Sequence, residues 1–349
     1  MNLTIEPPLP TSSILIPTFG RPATLRNCLE ALARQTHPPN EVLVVWQAED
    51  VASRDVACEF QEADRLPIQA LHLEQPGIVP AENLALRNAT GEIILLIDDD
   101  AVARPDWLLR HLQAYQDASV GAVGGPADNY SADGPFPKRA VEPVGRLHLT
   151  GKLSGNMYDH IQSWRDRPMQ EVDHLVGYNF SLRRQAFDQF DENLRRYWQL
   201  FELDACLQVR SRGYRIMFDY GNVVDHHPTN TAYAGGRDGD LQVKVINSLF
   251  NRGYIFSKHL SAGRRALAYV YQLLVGNVNG PGLLACGVAT WRYGNLPREL
   301  RLLRDSIRAF QQGWSLGGRC RAPGKRSSQA SAPSQREPSE CDRVRSSHK

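Results

Sequence analysis

Between residues 12 and 124 short apolar runs alternate with amphipathic stretches, and that alternation leaves few folds open to the chain. Residues 12–17 (SSILIP), 41–46 (EVLVVW), 68–73, 93–97 (IILLI) and 120–124 read as buried strands. Residues 24–35 (TLRNCLEALARQ) carry Leu25, Cys28, Leu29 and Leu32 at spacings of three and four, the signature of an amphipathic helix, with Pro22 near its start. Residues 51–63, 80–88 (opened by Pro80) and 105–115 read as further helices. Strands separated by helices pair in parallel, because a parallel neighbour needs a crossover and the helix supplies it. The expected class is α/β, with a mostly parallel, Rossmann-like sheet and helices on both faces. Such sheets bind ligands outside the carboxyl ends of their strands. Three acids, Asp98, Asp99 and Asp100, follow one such end.

From residue 127 to about 172 the pattern breaks into glycine, proline and polar residues, too long for an idle loop and read as an acceptor-side insertion. Order returns at 175–182 (LVGYNFSL), a helix near 202–212 stopped by Gly213, and short strands at 215–218 and 222–224. Residues 228–240 form a glycine-rich polar stretch that suits either closure over a ligand or a passive linker. The expected division is a nucleotide-binding domain over 1–235, a helical appendage over 236–318 and a disordered basic tail over 319–349.

The chain of 349 residues has a formal charge of +2. Residues 319–349 carry +5, so the preceding 318 carry −3, and no general nucleic-acid footprint is expected. The first residues, MNLTIEPPLPTSS, lack the basic and apolar regions of a secretory signal. The six cysteines are dispersed with no CxxC pair, as expected of small hydrophobes in a reduced, cytoplasmic protein rather than a zinc site.

Three polar groups carry chemistry. In IDDD, adjacent acids favour a nearby cation, and Asp98 and Asp100 at a strand end suit a hard divalent metal bridging a diphosphate. An acidic turn capping the next helix is the plainer reading. In FELD, Glu202 and Asp204 fall in the first turn of a helix, fit either for the helix dipole or for a general base beside an acceptor hydroxyl. In DHHP, His226 and His227 follow the last strand, and imidazole is a frequent metal ligand.

Together these segments resemble the inverting family 2 glycosyltransferases, which have the GT-A fold. The matching pieces are ILIPTFGRPATLRNCLEALARQ, EVLVV, GEIILLIDDDAVARPDWL, VGYNFSLRRQAF, FDENL, ELDACLQVRSRGYRI and VVDHH, in the family's order over residues 12–227. The resemblance implies a UDP- or GDP-sugar donor, Mg²⁺ or Mn²⁺, and a saccharide or lipid-linked acceptor. It implies a nucleotide pocket at Pro17, Thr18, Phe19, Arg21, Trp46 and Asn83, with Asp98 and Asp99 at the donor. Metal ligands would be Asp98, Asp100 and one of His226 and His227. The acceptor side would include Gly177, Tyr178, Asn179 and Asp204, and Glu202 would be the base. Two departures stand out: Trp46 follows Val45 where the family has an acid, and the family's ARN triplet is Ala81-Glu82-Asn83. These leave a second reading open, a non-catalytic nucleotide-sugar-binding partner of a glycan-assembly complex. No QxxRW follows the acidic motif, so one sugar per encounter is expected. A nucleotidyltransferase is disfavoured, because IPTFGRP is a poor triphosphate loop.

Residues 266–291 contain no charge, but Asn277, Asn279, Gly280 and Pro281 interrupt them, and arginines flank both ends. Interfacial helices over 264–310 on the cytoplasmic face of a membrane, or a hairpin packed on the domain or a second subunit, fit best, and a true span is the remaining reading.

Overall fold

The computed structural model describes residues 8–131, 133–138, 142–155, 158–194, 200–228, 241–277 and 280–321. The first half alternates as β1 (Ser12–Thr18), α1 (Pro22–Ala33), β2 (Glu41–Gln47), α2 (Val51–Glu62), β3 (Ile68–Leu73), α3 (Ile78–Asn88) and β4 (Ile93–Leu96). Then come β5 (Ala101–Ala103), α4 (Trp107–Ala114), β6 (Val120–Gly124), β7 (Ala127–Ser131) and β8 (Gly134–Pro135). The two-residue strands β9 (Arg146–Leu147), β10 (Leu153–Ser154) and β11 (Gln170–Glu171) precede β12 (Phe180–Arg183), α5 (Phe201–Ser211), β13 (Arg215–Phe218) and β14 (Val224–His226).

The main sheet has eight strands in the order β11-β13-β6-β12-β4-β1-β2-β3. It is mixed but mostly parallel, as expected. The pairs among β1, β2, β3 and β4, and β6 with β13, are parallel, whereas β12 runs antiparallel between β4 and β6. The insertion between β7 and β12 returns the chain from the opposite end, which reverses that strand.

Residues alternate between two cores, as a pleated strand buried on both faces requires. In β1, Ile14 and Ile16 join α1, α2 and α4, while Leu15 faces α3 and α5. Helix α3 begins at Ile78, two residues before Pro80, because a proline in the first turn forfeits no intrahelical hydrogen bond. The last strand lies at Val224–His226, two residues beyond the expected 222–224, so His226 is a strand residue. A second sheet, β5-β14-β7-β8, sits at the carboxyl edge of the first, and its strands β7 and β8 lie in the stretch whose pattern reads as irregular.

The appendage contains α6 (Leu241–His259), α7 (Ala262–Leu274), the bridge β15 (Gly276–Asn277) with β16 (Gly280–Pro281), α8 (Leu283–Tyr293) and α9 (Leu296–Arg319). The bridge divides the uncharged stretch, and among the described residues no helix is long and apolar enough to cross a membrane. Arg319 ends α9 rather than opening a tail, and 322–349, like the stretch 229–240, lies outside the described residues. Cys28, Cys206 and Cys286 are buried free thiols.

Helices α6 and α9 approach backbone to backbone. A Cβ on Gly313 would overlap the Phe250 carbonyl, whereas one on Gly287 in α8 would meet open space. Gly313→Ala is expected to destabilise by about 1–3 kcal/mol through forced separation of the two helices. Gly287→Ala is expected to stabilise by about 0.5–1 kcal/mol through helix propensity. Paired denaturant melts check the opposite signs.

Candidate active site

The site begins where β4 ends. Asp99 is fully buried and accepts from Thr18 Oγ1 at 2.6 Å. Arg21, which leads into α1, bridges Asp99 (Nη2 to Oδ1, 2.5 Å) and Asp100 (Nη1 to Oδ2, 2.9 Å). Burial pushes the Asp99 carboxyl up to about 7, opposed by the Arg21 charge and reinforced by Asp100. The end of β1 and the start of α1 are thus tied to the acidic run by one guanidinium. Asp99 faces inward to these partners and positions the loop, in place of the expected donor contact.

The second sheet brings in the histidine. Within it His226 pairs with Ala101, the residue after Asp100, and on its other side with Asn129. Its Nε2 lies 3.3 Å from Asp100 Oδ1 and 3.9 Å from Asp98 Oδ2. Ligand atoms of Asp98, Asp100 and His226 all fall within 4.8 Å of one another. Nδ1 lies 2.8 Å from Asn129 Oδ1. An amide oxygen only accepts, so Nδ1 donates to it and Nε2 is the ring nitrogen turned to the carboxylates. That Nε2 is buried with no hydrogen-bond partner. Two carboxylates and an oriented imidazole whose Nε2 lacks a hydrogen-bond partner fit a divalent cation, and the amide behind the ring is the support such ligands have. His227 is exposed and stacks on Tyr130 (centroids 4.7 Å), so the geometry separates the two histidines.

Consecutive residues of one turn join this cluster to Glu202. Gly177 N–H donates to Glu202 Oε1 at 3.0 Å, and the Tyr178 ring stacks on His226 at 5.0 Å. A Cβ on Gly177 would stand 2.7 Å from Glu202 Oε1, so a side chain there would push the carboxyl aside. Leu200, just before α5, adopts the left-handed region (φ 86°), a strained turn that sets the helix's first residues. Desolvation, then the charge of Asp98, raises the Glu202 carboxyl to about 7. Glu82 is buried on α3 with Oε2 lacking a hydrogen-bond partner. Burial, then Asp98 and Glu202, pushes its carboxyl well above the usual carboxylate range, which disfavours the charged form.

Four expected site residues are occupied elsewhere. Asn179 is fully buried, and its amide is saturated by Trp107, His111, Pro126 and Asn222. It ties α4 and two loops to β12 and is not on an acceptor surface. Asp204 is buried and paired with Lys258 (3.0 Å) and His259 (2.7 Å), docking the appendage onto α5. Asn83 clamps Phe190 through its N–H and carbonyl. Trp46 is buried and stacked on His72 at 3.9 Å, which uses its ring face. Pro17 and Thr18 complete β1 against Val45 and Trp46, and Phe19 follows, partly buried.

The sequence reading missed Asn129. Its signal was the local pattern ADNYS beside a strand, hidden inside a stretch taken as irregular. The same insertion builds a small recess lined by Pro126, Tyr158, Asp159, Trp164 and Tyr220 among others. Asp159 also accepts from Asn129 Nδ2 at 3.0 Å, so the recess adjoins the residue that orients His226.

The Asp204 contacts yield a test. His259 and Lys258 hold its carboxyl below the usual value, outweighing desolvation. A depressed folded pKa means stability present above the unfolded pKa of about 3.9 and lost as pH falls through the folded value. Asp204→Ala is expected to cost on the order of 3 kcal/mol at pH 7 and to flatten the acid limb of a pH–stability profile.

A family profile described as glycosyl transferase family 2 matches residues 13–191, half of the chain. The glycosyltransferase AglE of Haloferax volcanii is 32% identical over 34% of this chain and 39% of its own length. The glucosyl-dolichyl phosphate glucuronosyltransferase of the same organism is 24% identical over 61% of this chain and 68% of its own. Among solved structures, the mannosyltransferase PcManGT of Pyrobaculum calidifontis, in complex with GDP-Man and Mn²⁺, aligns with a TM-score of 0.53 at 17% identity, covering 89% of this chain and 84% of that one. Residues 1–349 of TarS of S. aureus with UDP-GlcNAc align at 0.58 and 14%, covering 87% and 81%. The fold is that of the GT-A neighbours, and the chain belongs to glycosyl transferase family 2.

Proposed function

We propose that this family 2 member transfers one sugar from a nucleotide-sugar donor to a hydroxyl of a saccharide or lipid-linked acceptor, with inversion and a divalent cation. The observation that carries this reading is the meeting of Asp98, Asp100 and His226 beside Glu202 across the Gly177-Tyr178 turn. The neighbours crystallised with GDP-Man and Mn²⁺, and with UDP-GlcNAc, support a nucleotide sugar and a divalent ion in general. The name of the archaeal relative, which places transfer on a dolichyl phosphate carrier, supports a lipid-linked acceptor.

Asp98, Asp100 and His226 would hold the cation, and the nitrogen ligand favours Mn²⁺ over Mg²⁺, which prefers oxygen alone. Bound there, the ion supplies neutralisation of the charge growing on a departing nucleoside diphosphate. Arg21 keeps Asp100 turned to His226, and Asn129 keeps the imidazole Nε2 on the same point. Glu202, fixed by Gly177, takes the acceptor hydroxyl proton. The acceptor oxygen bonds the anomeric carbon from the face opposite the diphosphate, and the carbon–oxygen bond to the diphosphate breaks. A base poised near neutrality accepts that proton and releases it to solvent afterwards.

Glu82 favoured a non-catalytic binder when read as an anion facing a diphosphate. Its burial on α3 disfavours that charge, and the enzyme reading rests on the remaining residues.

Glu202→Gln is expected to bind nucleoside diphosphate as the unaltered protein does, read by thermal shift, and to lose transfer by about 10²–10⁴-fold. Transfer at near-normal rate removes Glu202 from the chemistry. The working form is the carboxylate, so kcat/KM is expected to fall as pH drops below about 7. Neutralising Asp98 lowers that midpoint, because the Asp98 charge is part of what raises it. A profile flat between pH 5 and about 8 contradicts the assignment.

A further inference from the structure

Eleven of the sixteen exposed large hydrophobic side chains among the described residues lie within 267–300. On α7, Leu267, Val270 and Leu274 recur at three and four residues, hence on one side. On α8, Leu284, Val288 and Trp291 do the same, exposed by 62%, 63% and 87%. The inner sides of these helices are already used, since Ala268, Gln272 and Cys286 are buried. A clustered apolar face of this kind marks an interaction surface.

Charge identifies the partner. Residues 241–321 hold twelve Lys and Arg against Glu299 and Asp305, a net of +10, while residues 1–240 carry −11. Glu299 is buried, and Asp305 pairs with Arg304 at 3.0 Å. On α9, Arg298, Arg301, Arg304 and Arg308 are exposed and recur on the side away from the buried Leu303, Phe310, Gly313 and Gly317. The molecule is therefore an electric dipole whose positive end also bears the apolar crest. A second copy docked through this face would oppose +10 to +10. A nucleic-acid backbone offers the leucines and valines nothing to enter. An anionic lipid surface answers both features, headgroups to the arginines and the acyl boundary to the crest.

We propose that the α7–α9 face docks the protein on an anionic lipid surface, lying on it without crossing. The acidic domain is repelled by the same surface, so the dipole sets orientation as well as attraction. This inference is independent of the sugar-transfer reading.

Flotation of the full chain with phosphatidylcholine vesicles, with and without phosphatidylglycerol, tests it. The chain is expected to float with the anionic vesicles, weakly with the neutral ones, and less as salt shortens the screening length from about 10 Å at 0.1 M to about 3 Å at 1 M. Joint Arg298→Gln, Arg301→Gln and Arg308→Gln is expected to lower the partition coefficient about 10²-fold. Joint Leu284→Ser, Val288→Ser and Trp291→Ser is expected to abolish flotation at an unchanged melting temperature. A full chain that stays at the bottom of the gradient with both vesicles overturns the proposal, as does flotation that ignores both sets of substitutions. A dimer in solution that Trp291→Ser disperses, with no flotation, assigns the face to a second copy and also overturns it.

Discussion

Burying Asp99 and Asp100 at the end of β4 is the constraint on which the rest of the site depends. Carboxylates without exposed surface are costly to ionise unless a charge and donors meet them. Arg21 and Thr18 supply these from the end of β1 and the start of α1. The opposite side of Asp100 turns to His226, which arrives on a strand of the second sheet. Two sheets and an insertion are thus pinned to one acidic run. The elements that fold the domain and those that build its site are the same.

The polar residues near that run fall into two kinds. Asn179, Asn83 and Asp204 have their hydrogen-bonding capacity spent on the fold, and buried polar groups satisfied in this way fix one arrangement of loops. His226 Nε2 and Glu82 Oε2 keep buried atoms without such partners. An atom left in that state costs stability, and its retention beside a candidate cation site and a raised Glu202 fits a site shaped for something it binds.

The strands and helices of residues 12–124 were legible because their apolar periods are local. The acidic run was legible because it sits at a strand end, a place defined by the strand itself. The second sheet was less so, because β5, β7 and β14 are short and pair across about a hundred residues. The placement of Asp204 follows from helix geometry: residues two apart in α5 point about 200° apart, so Glu202 at the cleft sends Asp204 to the appendage. That of Asn179 was not legible, since no local pattern tells a saturated interior amide from one facing substrate. Charge was legible but divided in the wrong place. A cut at residue 319 shows a mildly basic tail, whereas a cut at 241 shows two oppositely charged halves.

The central claim is that Asp98, Asp100 and His226 share one divalent ion. Pulsed electron paramagnetic resonance of the protein loaded with Mn²⁺ and a nucleoside diphosphate tests it most directly, because a coordinated imidazole nitrogen modulates the manganese echo. The account predicts nitrogen modulation that His226→Ala removes and His227→Ala preserves. Bound Mn²⁺ with no such modulation, or modulation that survives His226→Ala, would contradict it.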